Sequence, residues 1–171
     1  MSQFKFGKPA ELSRTAFIET FGAIYEHSSW IAERTYDKDL NSLDANIETL
    51  QGAMAAVFLA ASKEEQLGVI NAHPDLAGRA ARAGALTAES TSEQASAGID
   101  SLSDTEFAEF TQLNDAYKAR FNFPFIMAVR GSNKHAILAG FRERLKNSPE
   151  QEFARAITEI NKIAGFRLAD L

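Results

Sequence analysis

Cysteine is missing from the 171 residues of this chain, and histidine occurs only three times. The first absence excludes a disulfide framework, a thiolate nucleophile and any zinc site built on sulfur. The second leaves no His-x-x-x-His pair and no dense cluster of ligating side chains, so no metal is expected; Asp75, near His73, stands without such company. No concentrated run of Lys and Arg appears, and the net charge is -5, so the positive footprint of a nucleic-acid binder is lacking. An anionic ligand would need locally placed Arg, Lys or backbone N–H groups. The longest apolar run, Gly52 to Ala61, falls far short of the roughly 20 residues that span a bilayer. Met1 to Pro9 lacks an apolar signal-peptide core, and the chain does not end in Ser-Lys-Leu. Also missing are repeats, linkers, low-complexity tracts and any convincing pair of alternating strands.

What is present is helical periodicity. Phe17, Phe21 and Ile24 share one face of a first helix. Leu43, Ile47, Leu50, Met54, Val57 and Phe58 mark a longer one, with Ser42 as its expected N-cap. Ser62 to Glu65 reads as a capping box opening a helix that Pro74 ends. From Asp75 to Asp100 small residues dominate and only short helical turns are expected. Long weakly apolar segments of this kind are often functional. Regular helix resumes at the Ser103-x-x-Glu106 box, with Phe107, Phe110, Leu113 and Tyr117 inward. Pro124 interrupts, and Phe125 to Val129 is open to either extended or helical structure. A helix from about Asn133 turns Ile137, Leu138, Phe141 and Leu145 inward. Ser148-Pro149-Glu150-Gln151 starts the last helix, whose stripe is Phe153, Ile157, Ile160 and Ala164. The expectation is an all-α, single-domain helical bundle over residues 1–171, large enough to bury roughly 70% of its unfolded surface without staples.

Two runs concentrate polar chemistry: His73-Pro74-Asp75-Leu76-Ala77-Gly78 and Glu89-Ser90-Thr91-Ser92-Glu93-Gln94. His73 continues the inward face of its helix, three residues after Ile70. It either bonds the last carbonyls of that helix or acts as a general acid/base held at a pocket wall. Glu93 completes a Ser90-x-x-Glu93 capping box, or accepts hydrogen bonds from a ligand's N–H groups, or both. Arg167 lies three residues after Ala164 and seven after Ile160, on the buried stripe of the last helix. Its head either escapes to water or needs a partner, since an uncompensated interior charge costs several kcal/mol. The side chains of Phe125 to Val129 read as core. His27, at a turn, and His135, near a helix start, read as structural, and Arg79 and Arg82 as solvated.

The order of these runs, continued by Ala97-Gly98-Ile99-Asp100, Leu113-Asn114-Asp115-Ala116-Tyr117, Phe123 to Val129 and Ile163-Ala164-Gly165-Phe166-Arg167-Leu168, resembles the OHCU decarboxylases of urate breakdown. That resemblance implies a lyase that converts 2-oxo-4-hydroxy-4-carboxy-5-ureidoimidazoline (OHCU) to (S)-allantoin without a cofactor. It implies catalytic roles for His73, Glu93 and Arg167. It implies substrate contacts from Pro74, Ser90, Thr91, Ser92, Glu93, Gln94 and the segment Phe125, Ile126, Met127, Ala128, Val129. It also implies a homodimer, and animal members are associated with peroxisomes. Without the Ser-Lys-Leu ending, a cytoplasmic protein is the expectation here. The competing reading is a non-enzymatic helical domain that binds a partner protein through an apolar groove. A third is a different small-molecule lyase on the same scaffold.

Overall fold

A computed structural model describes residues 3–38, 46–78 and 84–171. Among these the structure is helical, with one isolated antiparallel bridge, Gln3 to Asn46, as the β pairing. The all-α expectation holds. The chain divides into two compact units, Met1–Ala72 with Ile160–Leu171, and His73–Glu159. No helix of the described residues is long and apolar enough to cross a membrane.

The first unit holds a 3-10 turn, Pro9–Glu11, and helices α1 (Arg14–Phe21), α2 (Trp30–Lys38), α3 (Ile47–Ala60) and α4 (Lys63–Ala72). Ser13 caps α1 by accepting from the Ala16 N–H at 3.2 Å. Phe17 and Phe21 are fully buried; Ile24 is buried too, but lies beyond the end of α1. Helix α2 had no clear sequence signal, because its inward residues are Ile31, Ala32 and Thr35, a stripe with one polar member. The cap of α3 corrects the expectation of Ser42. Asn46 has extended backbone, and its side chain accepts from the Glu48 N–H at 2.9 Å, so helix cannot run through it. Ser42 and Leu43 lie outside the described residues. The Ser62–Glu65 box forms in both directions, at 3.1 and 3.0 Å, and α4 stops at Ala72, before Pro74.

The second unit holds α5 (Ala88–Ser96), α6 (Asp104–Phe121), α7 (Lys134–Arg144) and the first part of α8 (Pro149–Ala169). Helix α5 overturns the expectation of mere turns between Asp75 and Asp100. Its residues, Ala-Glu-Ser-Thr-Ser-Glu-Gln-Ala-Ser, have almost no apolar periodicity, but Thr87 caps it through the Ser90 N–H at 3.2 Å. The boxes at Ser103 and Ser148 form as expected. Three inward stripes differ from the apolar pattern. Helix α6 buries Phe110, Asn114, Tyr117 and Phe121, leaving Phe107 and Leu113 half-buried. Helix α7 buries Arg144 where Leu145 was expected, and α8 buries Glu152 rather than Phe153. In each case the buried polar group has a hydrogen-bonding partner, described below. Phe125 to Val129 is non-helical.

Candidate active site

His73 is the first residue after α4 and is buried. The five residues that follow make a tight turn, and each motif letter has a physical cause. Pro74 ends the helix. The Asp75 carboxylate accepts from Lys118 Nζ at 2.6 Å. Ala77 sits in the left-handed region at φ 52°, a conformation that costs a non-glycine residue about 1 kcal/mol or more. At Gly78 a Cβ would fall 2.7 Å from the Asp75 Cβ, so a side chain is sterically refused. Two buried amides hold this turn. Gln94 accepts the Ala77 N–H at 2.9 Å through Oε1 and donates to the Asp75 carbonyl at 3.4 Å through Nε2. Asn114 Nδ2 donates to the Leu76 carbonyl at 2.9 Å.

Helix α5 therefore docks on the turn that begins at His73, and the second predicted run reaches the first. Ser90 and Gln94, one helical turn apart, are its buried residues; Thr91 and Ser92 are exposed, and Glu93 is half-buried. The Ser90-x-x-Glu93 capping box does not form. The cap is Thr87, which makes Ser90 the third residue of the helix and Glu93 the sixth, beyond the reach of the free N-terminal amides. Capping thus does not explain Glu93. Glu93→Gln is expected to lower activity at least tenfold, since one acceptor oxygen becomes a donor, while the Thr87 cap of the helix is left intact. Thr87→Ala should instead lower stability by about 1 kcal/mol. Parallel thermal melts and initial rates on the two variants check this; a wild-type rate in Glu93→Gln would remove Glu93 from the site. Beside α5 a small cleft is lined by Ala77, Thr91, Gln94, Ile99, Asp100 and Phe107, among others.

The Phe125–Val129 segment buries Phe125, Ile126 and Val129, and leaves Met127 and Ala128 half-buried. Its backbone is gripped by buried charge. Arg144 Nη1 donates to the Ile126 carbonyl, and Glu159 Oε2 accepts the Ala128 N–H at 2.8 Å. Arg144 also donates to Glu152 at 2.7 Å and lies over the Phe125 ring, 4.3 Å from its centre. Glu152 accepts from the Tyr117 hydroxyl at 2.6 Å and from Asn147 at 2.9 Å. Burial, and then the Glu152 carboxylate, push the Tyr117 phenol well above its usual range, so it remains a donor at neutral pH.

Arg167 belongs to the first unit, on α8. It is 5% exposed, and its head does not escape to water. Nη2 donates to Glu26 at 2.8 Å, and Nη1 to the carbonyls of Ala23 and Ile24 at 3.4 Å each. His73, Ser90, Glu93, Gln94 and the Phe125–Val129 segment lie in the second unit. His27 is exposed at φ 47°, and His135 is exposed in the first turn of α7. Arg79 and Arg82 lie outside the described residues. Among the described residues no three His, Asp or Glu side chains gather as a metal site would need. The sequence reading missed Asn114, Arg144, Glu152 and Glu159. The available signal was their spacing: each polar residue falls at a position where helical periodicity demands an inward side chain.

These features define a helical scaffold with a histidine at a clamped helix end, and comparison with known proteins places it among the carboxy-lyases. The OHCU decarboxylase family model matches residues 10–169, and the chain belongs to that family. It is 42% identical over 159 residues to the 2-oxo-4-hydroxy-4-carboxy-5-ureidoimidazoline decarboxylase of Haloferax volcanii, covering 93% of this chain and 90% of that one. The enzyme of the same name from Halalkalicoccus jeotgali is 39% identical over 161 residues, covering 94% and 88%. Among solved structures, that of an (S)-allantoin synthase superimposes with a TM-score of 0.76 at 34% identity, covering 95% of this chain and about half, 52%, of that one.

Proposed function

We propose that this protein decarboxylates OHCU to (S)-allantoin in urate degradation, with His73 as its proton-transfer group and no cofactor. The observation that carries this reading is the family match over residues 10–169, which includes both polar runs and the non-helical segment after Pro124. In the substrate one ring carbon bears a hydroxyl and a carboxylate beside a C=N bond. When the bond to CO2 breaks, its electron pair moves toward that C=N and the nitrogen gains a proton. The resulting enol then gives up its hydroxyl proton as the neighbouring carbon gains one. The substrate is its own electron sink, so the protein has to hold the ring and govern two proton movements.

His73 takes the hydroxyl proton and supplies one to carbon. Its placement supports this: the turn it opens is fixed by Gln94 and Asn114, so the imidazole starts from a rigid base. Glu93, Ser90, Pro74, Thr91 and Ser92 face the ureido side of the substrate. Gln94 has one donor and one lone pair left after holding the turn. Arg167 offers a planar donor to an anionic or carbonyl oxygen. The family resemblance also supports a cytoplasmic homodimer with residues 1–171 acting as one domain; light scattering on the eluted protein reads the dimer directly.

The test uses freshly generated OHCU, followed by circular dichroism of the product. Spontaneous loss of CO2 delivers the proton to either face and gives a racemate. The protein is expected to accelerate the loss and to yield optically active (S)-allantoin. Faster decarboxylation with a racemic product, once spontaneous racemisation is excluded, would mean that the proton comes from bulk water and not from His73. No acceleration would remove the function.

A further inference from the structure

We propose that Glu159 and Arg144 are positioning residues that aim the N–H and C=O of Met127 at the substrate. The inference rests on the function proposed above. A trans peptide is planar, with its C=O and N–H pointing in opposite directions, and the described residues contain no cis bond. Arg144 holds the Ile126 carbonyl, so the Met127 N–H, in the same peptide plane, points away from Arg144. Glu159 holds the Ala128 N–H at 2.8 Å, so the Met127 carbonyl points away from Glu159. The two charges thus fix two consecutive peptide planes. Between them lies one residue whose donor and acceptor bond no protein group among the described residues.

Both anchors are themselves locked. Glu159 is 2% exposed, and its second oxygen accepts from Arg155 Nε at 2.9 Å. Arg144 is held by Glu152, which is fully buried and satisfied by Tyr117 and Asn147. Burying two carboxylates and a guanidinium is a costly way to support a loop, and well-packed apolar residues often do as well. What an apolar side chain cannot do is bind a carbonyl and an amide at chosen points. A neighbouring N–H and C=O from one residue complement the –NH–C(=O)– edge found in a ureido group and in an imidazolinone ring. OHCU carries that edge in its ureido group and in its ring, so the Met127 backbone suits the substrate proposed above.

Three variants test this in the full-length protein. Glu159→Met removes the acceptor, Glu159→Gln keeps one, and Arg144→Lys replaces the planar fork, which reaches Glu152 and Ile126 through different nitrogens, with a compact ammonium. Glu159→Met and Arg144→Lys are expected to raise KM about tenfold with kcat within about threefold, because substrate and transition state lose the same contacts. Glu159→Gln should keep KM near that of the wild type. A KM unmoved in both Glu159→Met and Arg144→Lys, whatever their melting temperatures, overturns the inference. If Glu159→Met does not fold, Arg144→Lys decides alone. An inert wild-type protein would instead overturn the functional reading, and this inference with it.

Discussion

Replacing His73 with alanine is expected to lower the turnover of OHCU by about 10²–10⁴-fold, the usual contribution of a general acid/base. The fold should survive. The substitution changes only the side chain at the end of α4, so the helix's backbone ladder is untouched. The turn after it is held by groups that do not involve the imidazole: Gln94 and Asn114 on the backbone, and Lys118 on Asp75. A small melting shift is consistent with losing a buried ring that has contacts of its own. Asparagine at this position keeps a hydrogen-bonding group but cannot shuttle protons, so His73→Asn should be nearly as slow as His73→Ala. Initial rates beside thermal melts make the measurement. Near-wild-type turnover by a folded His73→Ala protein would reduce His73 to a helix-end residue and leave the chemistry without a base.

The turn itself can be tested apart from the imidazole. Gln94→Leu keeps the volume but leaves the Ala77 N–H, at φ 52°, and the Asp75 carbonyl without their partner. The strain at Ala77 is then no longer offset by a good hydrogen bond.

Much of this architecture was legible because it follows from short-range rules. Capping boxes at Ser62, Ser103 and Ser148 form where the Ser-x-x-Glu/Gln pattern places them, and Pro74 stops α4 as its missing N–H requires. The three misplaced inward stripes share one cause: the apolar pattern carries no record of polar groups that bury themselves in pairs. Asn114, Arg144, Glu152 and Glu159 all occupy inward positions, and each is tolerated only because its partner sits on another element or a distant loop. Those partners become visible only in three dimensions. Helix α5 escaped for the opposite reason. It is short and nearly apolar-free, and a Thr87 cap and two long-range amide bonds from Gln94 hold it. The site followed the same division. The motif residues, Gln94 among them, could be read off the sequence, whereas Arg144 and Glu159, which hold the backbone between Phe125 and Val129, could not.

Arg167 shows how a structural and a chemical role can be separated in one side chain. Its guanidinium is paired with Glu26 inside the first unit, both residues being 5% exposed or less. Arg167→Met would leave the Glu26 carboxylate buried without its counter-charge, and such a break costs about 3–5 kcal/mol. That is a large part of the stability of an ordinary domain, so the single variant should melt far below the wild type. Its inactivity would then say nothing about substrate. Removing both charges, as Arg167→Met with Glu26→Leu, deletes the pair without stranding either member and should recover most of the lost stability. If the guanidinium only neutralises Glu26, activity returns with the fold. If it also donates to the substrate, the double variant melts normally yet remains slow by tenfold or more. The second outcome is expected. Arg167 has five N–H donors, and Glu26 with the carbonyls of Ala23 and Ile24 also gives it a fixed orientation. A planar, permanently charged guanidinium of fixed orientation suits a carboxylate or carbonyl oxygen, the role that the family resemblance implies for Arg167. Thermal melts and OHCU turnover on the wild type, the two single variants and the double variant complete the cycle.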